Sequence, residues 1–200
     1  MAKRLTEKLK LEPLKITCTS SDCNNGLHCF RASRKQKQAS EVGACRECGA
    51  KLVDWERVHE RNPADAQYTF RALKYELIRH HFWHVHIDEK AINYARRKGI
   101  SGLEVAVRSR LRKSVGRANN PFDGRQTPME GSGNPIHYAQ HATASCCRKC
   151  MEYWHGIPRT QTLTDEQIEY FVELAMMYLK DRLPDLTYGG EHVPPARPKK

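Results

Sequence analysis

Sustained hydrophobic spacing begins only after about residue 66. In "QYTFRALKYELIRHHFWHVH", Phe70, Leu73, Leu77 and His81 recur at helical intervals, with Ile78 widening the stripe, which predicts a helix from Ala66 onward. A second helix is expected between Asp88 as N-cap and Gly99 as a stop. The third follows at once, with Ser101 and Glu104 as a capping box. Its buried stripe is Leu103, Val107, Leu111 and Val115, and Gly116 ends it. Asn119 to Ala139 reads as a loop rich in Gly, Pro and Asn, after which a helix should carry the block around Cys147. The last helix should start at Thr164, capped with Gln167, bury Ile168, Phe171, Val172, Ala175 and Leu179, and stop before Pro184. The class is therefore mainly α, with a helical domain over 66–184, a charged arm over 1–15 and a disordered tail over 185–200.

Residues 16–55 break this pattern. They are loop-like, rich in Ser, Asn and Gly, and hold too little apolar material for a core of their own, so a staple is needed. Cys18 and Cys23, then Cys45 and Cys48, form two thiolate pairs that read as a zinc ribbon closing a tetrahedral four-thiolate site. Gly49 suits the tight turn after the second pair. His28 or Cys29 could replace Cys23 as a ligand, although a surface His and a packed Cys are the plainer reading. No apolar run approaches the roughly 20 residues that span a bilayer. With no secretory signal, a cytoplasmic home and no membrane partner are expected, and eight reduced cysteines there favour metal over disulfides.

Charge adds a partner. The net +11 is concentrated early: residues 61–117 carry thirteen Lys and Arg against five Asp and Glu, a net of +8. A field of that sign attracts polyanions, so nucleic acid is the expected partner, DNA before RNA, with a partner protein also allowed. Arg96, Arg97, Arg108, Arg110, Arg112 and Lys113 form the expected phosphate-binding face of the third helix and its approach. The basic loop from Arg31 is a second place for phosphate contact. His80 and His84 stand at i, i+4, a spacing that can grip a metal, but no third ligand lies near them in sequence.

"AQHATASCCRKCMEYWHGI" poses the remaining question. If the block is helical, Cys147 and Cys150 share a face, and His141 and His155 complete a second zinc site of two thiolates and two imidazoles. Cys146 is then left over near a helix N-terminus, where a thiol can become nucleophilic. Two alternatives stay open: all three cysteines on an iron–sulfur cluster, or packing alone.

The same residues carry a resemblance. "FDGRQTPMEGSGNPIHYAQHATASCCRKCMEYWHGI" resembles a bacterial family of domains of unknown function with an NDGKQTP block, an AQHATxTCCRxCLxKWHGI block and a final helix. The likeness runs from about His84 to Pro184. It covers Asp123, Gly124, Gln126, Thr127 and Pro128 in the first block. In the second it covers Gln140, His141, Thr143, Cys146, Cys147, Arg148, Cys150, Trp154 and His155. This chain departs by Arg125 for lysine, extra residues at Gly131 to Asn134, and His137 at an apolar position. The resemblance marks the domain, makes the N-terminal ribbon an addition to it, and implies no chemistry.

Two functions are expected from these features. The first is a protein with two zinc ions that associates with nucleic acid, as an accessory or DNA-binding component of a DNA-processing, modification or defence system. The alternative is a nucleic-acid-processing enzyme whose pocket lies between the Asp123–Pro128 loop and the His141–His155 block. Asp123 would then be the base, Gln126 and Arg148 would orient substrate, and Cys146 or a metal-bound water would attack. The chain has no Walker loop, dinucleotide fingerprint or HNH pattern.

Overall fold

This computed structural model describes residues 16–39, 42–128 and 131–194, and eight α-helices follow one another among the described residues. They are α1 (Arg34–Gln38), α2 (Trp55–Glu60), α3 (Ala66–Leu73), α4 (Leu77–His84), α5 (Glu89–Ser114), α6 (Pro135–Ala142), α7 (Arg148–His155) and α8 (Asp165–Arg182). The expected charged arm, and the tail from residue 195, lie outside the described residues. Among the described residues there is no β-strand, only isolated bridges at Asp22–Leu27 and His28–Glu76. The fold is mainly helical as expected, and the cysteine-rich segment is built of turns, a 3-10 turn at Cys23–Asn25 and the short α1.

α8 is the centre of the packing, against α5, α6 and α3. Thr164 and Gln167 form the expected capping box, so its start follows from local chemistry. Ile168, Phe171, Val172, Ala175 and Leu179 are all buried, as their spacing required. Its other end serves a neighbour: Tyr178 Oη and Arg182 Nη1 both donate to the Phe82 carbonyl, at 2.7 and 3.1 Å, satisfying a carbonyl in the last turn of α4.

Two breaks matter for the site. The single helix expected from Ala66 is divided, because the backbone leaves helical form after Leu73 and resumes at Leu77. His28 N–H then donates to the Tyr75 carbonyl (2.7 Å) and Leu77 N–H to the His28 carbonyl (2.9 Å). The cysteine-rich segment is thus stitched into this break. The second break is Gly99, whose φ of 61° interrupts α5 where a stop was expected. Residues 187–191 cross the kink: Ile100 and Ser101 N–H bond the Thr187 and Tyr188 carbonyls at 2.9 and 3.0 Å. A Cβ at Gly99 would meet the Gly189 backbone at 2.3 Å. The chain therefore does not trail away from residue 185 as the expected tail did. Ser101 Oγ donates to Tyr188 O, and Glu104 pairs with Arg108, so the capping box read at 101–104 does not form.

The N-terminal segment shares the core. Phe30 is 2% exposed and stacks edge-on against Trp55 and Trp154, centroids 5.7 and 5.8 Å away. No helix among the described residues is long and apolar enough to cross a membrane.

Candidate metal centres

The first centre is built on a thiolate turn. Gly49 N–H closes onto the Cys45 carbonyl at 2.9 Å, and Gly49 takes a φ of 75°, which a glycine adopts freely. Cys45 N–H bonds Ala50 O, and Arg46 N–H bonds Cys29 O, fixing the turn beside residues 28–30. Cys23, His28, Cys45 and Cys48 thereby converge, with their ligand atoms all within 4.8 Å of one another. Cys23 Sγ is 3.7 Å from Cys45 Sγ, and Cys48 Sγ is 3.4 Å from His28 Nδ1. Thiolates at ~2.3 Å from a tetrahedral zinc stand about 3.8 Å apart, so the set fits that ion.

Here the sequence expectation differs from the structure. Cys18 is not in this group, and His28 takes the place given to it. The signal was present in the sequence, a His five residues after Cys23, but His28 was weighed only as a substitute for Cys23. Burial opposes ionisation of Cys45, but N–H donors from Cys48, Cys29 and Glu47 outweigh it and bring the thiol down to about 6. Burial and the neighbouring Cys48 and Cys45 thiols push Cys23 up to about 12. Neighbouring thiols compete for charge in this way until a cation relieves them.

The second centre departs further. Helix α7 begins only at Arg148; Cys147 is extended (φ −158°, ψ 162°), and Cys146 precedes it. The turn passes through Ala144, whose φ is 54°. The helical geometry used to separate Cys146 from its neighbours therefore does not apply. Instead Cys146, Cys147 and Cys150 are buried together within 4.8 Å, with Cys146 Sγ 3.4 Å from Cys150 Sγ. Cys147 donates to the Cys146 sulfur, but the Cys150 thiol and burial outweigh that help and raise the Cys146 pKa. A 4%-exposed thiol with a raised pKa is a poor free nucleophile, and Cys146 stands with Cys147 and Cys150 in a group that could hold a metal ion.

The two histidines assigned to this site stand elsewhere. His141 Nε2 donates to the Pro128 carbonyl at 3.0 Å, and its ring stacks on Phe82. His155 Nε2 donates to the Thr143 carbonyl at 3.0 Å, and its Nδ1 faces the Tyr170 hydroxyl at 3.2 Å. His80 and His84 stack at 4.0 Å, with His84 Nδ1 spent on the His80 carbonyl.

A residue that sequence reasoning passed over governs the second centre. Arg79 is fully buried, and all five of its N–H groups are used. Nε meets Glu76 at 3.0 Å; Nη1 meets His141 O at 2.5 Å and Cys146 Sγ at 3.8 Å; Nη2 meets Cys150 Sγ at 3.2 Å and Tyr153 Oη at 2.7 Å. Glu76, also buried, accepts in addition from Tyr153 Oη and, at 2.6 Å, from Trp154 Nε1. No periodicity announces such a pair. Its guanidinium donates to two sulfurs of the cluster, which favours their charged, ligating form.

The two sequence blocks are knitted around this site. Thr127 Oγ1 donates to Gln140 Oε1 at 3.2 Å, and Gln140 Nε2 donates to Ser145 O. Asp123 accepts from the α7 backbone at Lys149 N and pairs with Arg159. Gln126 donates to Asp123 and accepts from Gly124 N–H. Arg148, 0% exposed, donates to the carbonyls of Val115, Pro158 and Gln161. Asp123, Gln126 and Arg148 thus hold backbone in place. Between the blocks lies a cavity of about 370 Å³ whose wall includes Thr127, Pro128, His141 and the three cysteines.

The expected phosphate face is mostly occupied. Arg108 is paired with Glu169 and Glu104, Arg112 with Asp165 and Arg96 with Glu191. Arg110 bonds Gln126 O and Gln140. Only Arg97 and Lys113 of that set are exposed with no ion pair among the described residues.

Three buried imidazoles give an acid-stability prediction. Burial, the largest cause in each, holds His155 down to about 3 and His137 and His141 to about 4. Their unfolded value is near 6.5. Below that pH the unfolded chain takes up protons that the folded chain refuses, so stability falls as pH drops from about 6.5 toward 4. The urea midpoint at saturating zinc should fall over this window, and fall less in His155→Gln. Parallel pH profiles for the two proteins would contradict this.

Comparison with known proteins places the matched region on the helices that carry the second centre. Residues 67–180 match the profile of a family described as a domain of unknown function, DUF4186. The Cys/His cluster at Cys23–Cys48 lies ahead of the matched residues. No solved structure matches the chain.

Proposed function

The chain belongs to the DUF4186 family of unknown function, and on that premise we propose that it is a zinc protein that associates with nucleic acid, DNA before RNA. Its role would be an accessory or DNA-binding component of a DNA-processing, modification or defence system. Both Cys/His clusters are of a kind that can hold zinc. The observation that carries the nucleic-acid reading is the basic helix docked on the first cluster. Gln36 in α1 is buried and donates to the Ala44 and Cys45 carbonyls, fixing α1 against the thiolate turn. Arg34, Lys35 and Lys37 project from this helix, exposed and without an ion pair among the described residues. Arg31 and Lys37 line a groove with Lys149, Arg159 and Glu152. Unpaired cations on a metal-anchored helix suit a phosphate backbone better than the paired arginines of α5.

Arg34→Gln, Lys35→Gln and Lys37→Gln together should weaken binding to a DNA duplex in fluorescence anisotropy. They should also flatten the log–log salt slope by about 2 to 3 units between roughly 50 and 200 mM salt, since each phosphate contact contributes about 0.9. Arg108→Gln with Arg112→Gln should change binding little. Absence of wild-type binding at the low-salt end would end this reading, and iron in the purified protein would end the zinc assignment.

A second reading rests on the cavity beside Cys146, Cys147 and Cys150, which both sequence blocks line. In it the protein processes nucleic acid there, with Thr127 and His141 nearest the reactants. Shortening or modification of the bound oligonucleotide by zinc-loaded protein, lost in Thr127→Val, would favour it over binding alone.

A further inference from the structure

We propose that Cys18 is the fourth ligand of the second centre, so that the N-terminal segment closes a thiolate site otherwise contained in the family-matched domain. This rests on the reading of two zinc centres above. The matched residues supply three sulfurs, from Cys146, Cys147 and Cys150, and zinc in a structural site takes four ligands. The neighbouring histidines cannot serve: His141 is directed at Pro128 O by Nε2 and stacked on Phe82, and His155 is spent on Thr143 and Tyr170.

Cys18 is the thiol at hand. It lines the same cavity as the three cysteines, and of them Cys150 is the one whose thiol acts on that of Cys18. Its backbone is held from two sides. The buried Cys29 thiol donates to the Cys18 carbonyl at 3.4 Å, which gives that cysteine a part outside both clusters. A turn bonds Ser20 N–H to Thr17 O at 3.1 Å, with Thr17 N–H on Ser20 Oγ at 3.1 Å, and Ile16 packs on the core. With His28 completing the first centre, Cys18 is left without a role there. The two clusters then read as one centre of three cysteines and a histidine and one four-cysteine centre, tied through residues 18–29. Arg79, donating to Cys146 and Cys150, offsets part of the negative charge that four thiolates place around a divalent ion.

Binding of zinc at this centre would therefore pin the N-terminal segment to the helical domain. A domain of this family without a residue equivalent to Cys18 would keep the fourth position open toward the cavity, as catalytic zinc sites do.

The test uses full-length protein loaded with zinc, with ions counted by native mass spectrometry and thiols mapped by iodoacetamide labelling. The wild type is expected to hold two ions, with Cys18 protected together with Cys146, Cys147 and Cys150 and released in the same chelation step. Cys18→Ser is expected to surrender one ion at a chelator concentration that leaves the wild type fully loaded, while Cys23, Cys45 and Cys48 stay protected. Should Cys18→Ser fail to fold, the labelling pattern of the wild type still decides. Labelling of Cys18 in the loaded wild type at the same rate before and after chelation, with Cys146, Cys147 and Cys150 protected, overturns the assignment and leaves the two-centre reading standing. A wild type with a single ion, retained unchanged in Cys147→Ser, overturns the two-centre reading and this assignment with it.

Discussion

Arg79→Met is expected to destabilise the protein by about 3–5 kcal/mol, the range for removing one partner of a buried ion pair. The cause is the charge left behind. Glu76 would stay buried with the Tyr153 and Trp154 donors but without its cation, 0% exposed and out of reach of water. The His141 carbonyl and two cluster sulfurs would lose donors at the same time. A domain stable by about 5–15 kcal/mol would lose a large part of its margin, which urea unfolding at fixed zinc would read as a lowered midpoint. Glu76→Gln combined with Arg79→Met should cost less than Arg79→Met alone, because no buried charge remains. A single variant within about 1 kcal/mol of wild type would mean that water or a rearranged cation reaches Glu76.

The second large effect is expected at the first centre. Cys45→Ser with Cys48→Ser should release one zinc ion and expose residues 31–51 to protease, while α3 to α8 stay folded. Structural zinc contributes apparent binding free energies of about 10–16 kcal/mol, far more than the few buried side chains of this segment can replace. Gln36, Ala44 and Cys45 hold α1 to the thiolate turn, so the basic helix should be lost with the metal. Phe30 should remain docked between Trp55 and Trp154, because that contact belongs to the shared core. Retention of both ions and of protease resistance by the double variant would remove the first centre from this account.

What the sequence determined was whatever depends on near neighbours. The stripe of α8, the Thr164–Gln167 box, the Asp88 cap and the break at Gly99 involve residues within a turn or two, and each stands as its spacing required. The thiolate turn at Cys45–Gly49 and the pairing of Cys147 with Cys150 were legible for the same reason. Hydrophobic periodicity made the class mainly helical, and composition made the N-terminal segment dependent on a staple.

Tertiary structure alone decided the partition of ligands between the two centres. Spacing pairs Cys18 with Cys23, because pairs are what a sequence displays. The chain after Cys18 turns through Asp22–Leu27 and is stitched by His28 to the α3–α4 break, which carries His28 to one cluster and leaves Cys18 toward the other. The helical wheel that set Cys146 apart failed because Ala144 and Cys147 are not helical, a matter settled by what surrounds the turn. The arginines of α5 looked available because their acids, Glu169, Asp165 and Glu191, lie more than fifty residues away in sequence. Glu76 and Arg79 look like surface residues until Trp154 and Tyr153 close over them. Long-range electrostatic pairing has no sequence period, so only the folded chain displays it.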